Sequence, residues 1–152
     1  IFLTVYKWFV KEAVKLVPMP QGAEFPYWSF MNLYSLDQSA GTSTLTLSVP
    51  RDEAVFFDMY DWNKILCLKY LGEDEADEKA FQAYLKQLGV REMDAVLTGF
   101  YPDLKQKIMG SWPRLFRHHA KIRAGEESGA KSVQAALWQI KKEWIVPEGQ
   151  RQ

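Results

Sequence analysis

The side chains with the most chemical potential in this sequence are gathered in the run Ser111-Trp112-Pro113-Arg114-Leu115-Phe116, followed at once by the adjacent pair His118 and His119. A guanidinium such as Arg114 can hold a carboxylate or phosphate through two parallel hydrogen bonds, and an indole beside it can stack on a flat ligand. No phosphate loop, dinucleotide glycine fingerprint, zinc-binding His-Glu-x-x-His or Cys-x-x-Cys pair accompanies the run. Neighbouring histidines point apart on either a helix or a strand, which argues against a two-histidine metal site. A Ser-His-Asp arrangement has no nucleophile elbow to support it. The basic stretch with Arg117, Lys121 and Arg123 could pair with phosphates while Trp112 and Phe116 stack on bases.

Composition limits these readings. Of 152 residues, 47% are hydrophobic and 14% aromatic, enough for a sizeable core, and residues 1–152 are read as a single domain. Net charge is zero, yet residues 51–100 hold 6 basic against 11 acidic side chains and residues 101–152 hold 10 against 5. Segments of opposite sign are expected to face each other in the fold, and an acidic midsection argues against nucleic acid as a partner. Cys67, the single cysteine, cannot close an internal disulfide; among Ile65, Leu66 and Leu68 it reads as a small buried hydrophobe in a reducing, cytoplasmic setting. No apolar run approaches the ~20 residues of a membrane span.

The elements that must position these side chains follow from periodicity. Residues 3–17 place Tyr6, Phe9, Val10, Ala13, Val14 and Val17 on one helical face, ended by Pro18 and Pro20. An aromatic strand is expected over residues 27–32. Residues 35–43 read as a polar connection, and residues 44–49 alternate so regularly that they form the clearest strand in the sequence. A short extended piece at 54–57 leads to a helix capped by Asp58 or Asp61 and reaching toward Gly72. Five carboxylates in residues 73–78 suit the N-terminus of a helix carrying Phe81, Tyr84, Leu85 and Leu88 and stopped by Gly89. Pro102 begins a helix ending near Gly110, Ser111 caps another, and a late strand covers residues 132–140. These elements make an α+β fold, a mixed or antiparallel sheet with helices packed against it.

Several segments resemble an uncharacterised bacterial family, the domain of unknown function numbered 3841. They are Tyr6-Lys7-Trp8-Phe9-Val10, Pro20-Gln21-Gly22, Pro26-Tyr27-Trp28-Ser29-Phe30, Leu47-Ser48-Val49-Pro50, Phe57-Asp58 with Asp61-Trp62-Asn63, Ser111-Trp112 with Arg114-Leu115-Phe116, and Val133-Gln134-Ala135 with Leu137-Trp138-Gln139-Ile140. The resemblance implies that a strand and a helix precede the segment starting at Ile1; it also implies an acidic residue where Arg117 stands, and no established activity. A fainter likeness, in the order of elements, is to ADP-ribosyltransferase domains. It implies NAD as cofactor, with Tyr27, Trp28 and Gln134 near the nicotinamide and Arg114 against phosphate. Such enzymes carry a glutamate near the place of Ala136, and Glu143 is the substitute acid this chain offers.

Three functions therefore remain open. The first is a binding module without cofactor or metal, whose groove is lined by Tyr27, Trp28, Trp62, Trp112, Arg114 and Gln134 and takes a small molecule or a protein partner. The second is an NAD-binding enzyme, with nucleic-acid binding through Arg117, Lys121 and Arg123 as a third possibility.

Overall fold

A computed structural model describes residues 1–32, 36 and 39–150. The elements run α1 (Phe2–Ala13), β1 (Tyr27–Phe30), β2 (Ala54–Asp58), α2 (Met59–Leu66), α3 (Glu75–Leu88), α4 (Glu92–Leu97), α5 (Pro102–Ser111), a 3₁₀ run (Trp112–His118), α6 (His119–Arg123) and β3 (Val133–Leu137). The fold is α+β, and its sheet is antiparallel in the order β1-β3-β2.

The late strand sits at the centre because its alternation serves two cores. Gln134, Ala136 and Trp138 project to one side of β3, and Ala135 and Leu137 to the other. On the first side lies the main core, where Val5, Phe9 and Ala13 of α1 meet Val55, Phe57, Trp62 and Ala136. Phe9 is its hub, with ring centroids 5.0 Å from Trp28, 5.4 Å from Phe57 and 5.1 Å from Trp62. Ala136 pairs with Trp28 and Val55, and a methyl at that crossing leaves room for the indole. The second side is smaller: Ala54, Phe56, Ala135 and Leu137 pack with Leu47, Val49 and Ile122.

Caps set the helix limits. Asp58 accepts from the Tyr60 amide at 3.1 Å and starts α2, Asp74 accepts from the Asp77 amide at 2.8 Å and starts α3, and Gly89 in the left-handed region ends α3.

Four expectations need correction. Residues 44–49 form no strand despite their alternation; they contribute one bridge, Leu47 with Ile145, bonded from Ser48 N to Trp144 O and from Val146 N to Thr46 O, and among the described residues no longer strand lies alongside. The helix after Asp58 stops at Leu66, not near Gly72. There the Leu68 and Lys69 amides donate back to Ile65 and Lys64, with Leu68 at φ 59, a left-handed position usually filled by glycine. Cys67, at that turn, is exposed and not buried. Ser111 caps nothing with its side chain; it is the last residue of α5. The connection expected at residues 35–43 lies partly outside the described residues.

Candidate functional site

The run at residues 111–117 grips the chain that leaves α2. Residues 69–73 have no regular partner strand, and their backbone groups are satisfied by side chains. Trp112 Nε1 donates to the Lys69 carbonyl at 2.9 Å, the Leu71 amide donates to Ser111 Oγ at 2.8 Å, and Arg114 Nη1 donates to the Leu71 carbonyl at 2.8 Å. Arg117 Nη1 donates to the carbonyls of Gly72 at 2.9 Å and Glu73 at 3.1 Å. From the other flank, Glu92 accepts from the Tyr70 amide at 2.6 Å and Asp77 accepts from the Tyr70 hydroxyl at 2.8 Å. Buried backbone polar groups must be paired, so this spacing of Ser, Trp, Arg and Arg is a clasp for an irregular segment.

Charge follows the same geometry. Arg114 lies 3.4 Å from Glu73 and 4.0 Å from Asp77, and Arg117 lies 3.0 Å from Asp61. The basic and acidic segments do face each other. Tyr70, stripped of water by its burial, has its hydroxyl pKa raised, with Asp77 adding to the effect and Arg114 opposing it. Asp77 is held below the usual carboxylate range by the Glu73 amide first and the Tyr70 hydroxyl second.

The six residues expected to line a groove occupy several places. Trp28 and Trp62 stack at 5.4 Å within the main core. Trp112 is fully buried and meets them only through other rings, standing edge-on to Trp8 at 5.5 Å. Arg114 is held in the clasp. Gln134 lies on the main-core side of β3, across from Phe30 and Phe57, and is 5% exposed with no hydrogen-bond partner for Oε1. Tyr27 alone reaches an open hollow. Glu143 is exposed on the turn at Lys142–Trp144, while Gln134 is buried in β3.

That open hollow is a shallow trough at the end of the sheet where β3 stops and β1 begins. It consists of two adjoining depressions of about 280 and 350 Å³ that share Pro20, Trp138 and Gln139; Tyr27 borders one, and Asp52 and Glu53 the other. The Trp138 indole is fixed by a 2.7 Å bond to the Val17 carbonyl. Beside the trough, β1 leaves one edge open. Met31 N donates to Val133 O, so the odd-numbered residues of β1 bond to β3, and the N–H and C=O of Trp28 and Phe30 point away. Among the described residues nothing bonds to them. The opposite edge is closed, because the Phe56 amide donates to Nδ1 of His119 at 3.0 Å.

One cluster was missed by the sequence reading. Asp58, Asp61 and His118 each bring a ligand-type atom within 4.8 Å of the other two. The Asp-x-x-Asp spacing at the start of α2 was visible, but nothing local placed a histidine nearly 60 residues later beside it.

A profile of the family described as "Domain of unknown function (DUF3841)" matches residues 1–146. No curated protein and no solved structure matches.

Proposed function

We propose, from the premise that the chain belongs to the DUF3841 family, that it is a partner-binding module which takes an extended peptide segment along the trough beside β1. The observation that carries this reading is the pairing of an open strand edge with a hollow at its end. Unpaired strand groups supply main-chain hydrogen bonds to an added strand, and adjoining hollows select its side chains. Tyr27, exposed at the start of β1, offers an aromatic wall, and Pro20 and Trp138 a rigid floor. Asp52 and Glu24 are exposed around the hollows, so the segment should carry Lys or Arg. Among the described residues no helix is long and apolar enough to cross a membrane. The single thiol fits a reducing cytoplasm, where such a module would meet its partner.

The reading is tested with a library of extended peptides, neutral and basic, followed by amide chemical shifts. It expects shifts confined to Trp28, Phe30 and the residues around Gln139, weakened by Asp52→Lys and by Tyr27→Ala. Absence of any saturable shift, or shifts elsewhere, rejects it. The NAD reading draws less support: Ala136 supplies no carboxylate, and Glu143 is exposed while Gln134 is buried.

A further inference from the structure

The Asp58, Asp61 and His118 cluster has a geometry that the clasp does not explain. Asp58 caps α2 and Asp61 follows three positions later, so both carboxylates lie on the same side of the helix start. They are 5% and 6% exposed. His118, at the end of the 3₁₀ run, completes a set in which one donor atom from each residue lies within 4.8 Å of the others.

Each carboxylate is oriented by groups outside the trio. Asp58 accepts from the amides of Tyr60 at 3.1 Å, Lys131 at 3.1 Å and Ser132 at 3.4 Å. Asp61 accepts from Arg117 Nη2 at 3.0 Å through Oδ2, and Arg117 is anchored in turn by the Gly72 and Glu73 carbonyls. A carboxylate has about four lone-pair directions, so both retain capacity, most clearly at Asp61 Oδ1. The His118 ring makes no hydrogen bond among the described residues. Two buried carboxylates thus stand beside one guanidinium, which bonds Asp61 and not Asp58, and beside an imidazole whose nitrogens have no partner among the described residues.

We propose that this trio binds one divalent cation of the borderline class to which zinc, cobalt and nickel belong. Imidazole with carboxylates suits that class, whereas magnesium and calcium call for a shell of six or more oxygens. Bonds of about 2.0–2.1 Å in a tetrahedral shell put donors about 3.3 Å apart, so each pair needs to close by no more than about 1.5 Å. Three protein ligands leave the fourth position to water. Outer partners that orient ligating side chains, as Arg117 and the Lys131 and Ser132 amides do here, are the usual support of such a site.

The test uses the full chain carrying Cys67→Ser, which removes the exposed thiol as a competing ligand, after chelator treatment and dialysis. Calorimetric titration with Zn²⁺ and Co²⁺ should give one ion per chain, a raised melting temperature and, for Co²⁺, visible absorption of low-coordinate type. His118→Ala should melt like the parent without metal and bind about tenfold or more weakly. Asp61→Asn should weaken binding as well, and Mg²⁺ should give no comparable stabilisation. The proposal is overturned by the lack of saturable binding, by unchanged binding in a folded His118→Ala variant, or by equal stabilisation from Mg²⁺.

Discussion

Arg114 donates through Nη1 to the carbonyl oxygen of Leu71 at 2.8 Å, across 43 positions of sequence, and so ties the start of the 3₁₀ run to the irregular segment leaving α2. The same guanidinium reaches the Tyr70 hydroxyl at 3.3 Å and lies over the Tyr70 ring, 5.7 Å from its centroid. Its fork is used within the fold. Arg114→Lys would keep the charge but lose the fork that serves Leu71 and Tyr70 through Nη1 and Glu73 through Nη2. An unfolding midpoint in urea lower by the equivalent of about 1–2 kcal/mol is expected, with the fold retained.

Gly72 offers a second check on the clasp. A Cβ built there would meet Glu78 Cγ and lie 2.9 Å from both the Asp74 carbonyl oxygen and the Glu78 amide nitrogen. Backbone cannot step aside as a side chain tip can. Gly72→Ala should therefore cost about 1–3 kcal/mol by overpacking, while Gly110→Ala, with nothing within 4 Å of the added carbon, should be tolerated. Thermal melts of the two variants side by side decide it.

His119 sets a pH dependence. Burial lowers its pKa, assisted by the nearby Arg123, and Nδ1 must stay unprotonated to accept from the Phe56 amide. A folded pKa below the unfolded value of about 6.5 means that the unfolded chain binds the extra proton more readily. The stability contributed by neutral His119 is thus full above that value and is lost as pH falls through the folded pKa. His119→Asn, which keeps an acceptor near Nδ1 without titrating, should flatten the dependence of unfolding free energy on pH below 6.5. An unchanged slope would assign it to other groups.

Gln134 separates burial from recognition. Its amide oxygen has no partner in an apolar setting, and an unsatisfied buried acceptor costs stability. Gln134→Met, of similar volume, should leave the melting temperature equal or higher and leave peptide binding at the trough unchanged. Loss of binding with a raised melting temperature would instead make Gln134 a ligand contact.

How much of this was legible in the sequence depended on whether the signal was local. The face of α1, a cap at Asp58 or Asp61, the acidic start of α3 and the stop at Gly89 are written in neighbouring residues, and each is found in place, with Asp58 as the cap. Residues 44–49 show the limit: alternation says which side chains would share a face, but a strand also needs a neighbour, and only Leu47 finds one. Residues 69–72 read as the end of a helix and are not, because what holds this segment is Ser111, Trp112, Arg114 and Arg117 some 40 positions later. The aromatics of the expected groove were recognisable as large and apolar. Whether Trp62 and Trp112 faced a ligand or the core depended on α1 and the 3₁₀ run closing over the sheet.

The clasp is tested most directly by amide hydrogen exchange at Leu71. Its N–H is bonded at 2.8 Å to the hydroxyl of Ser111, which is itself buried and donates to the Ile108 carbonyl. Although it lies outside any helix or strand, the Leu71 amide should exchange as slowly as those of β3, through global unfolding. In Ser111→Ala it should lose that protection while β3 keeps most of its own. Exchange of Leu71 at the rate of a free loop in the parent chain, or protection untouched by the loss of the Ser111 hydroxyl, would contradict the assignment of residues 111–117 as the structural grip on residues 69–73.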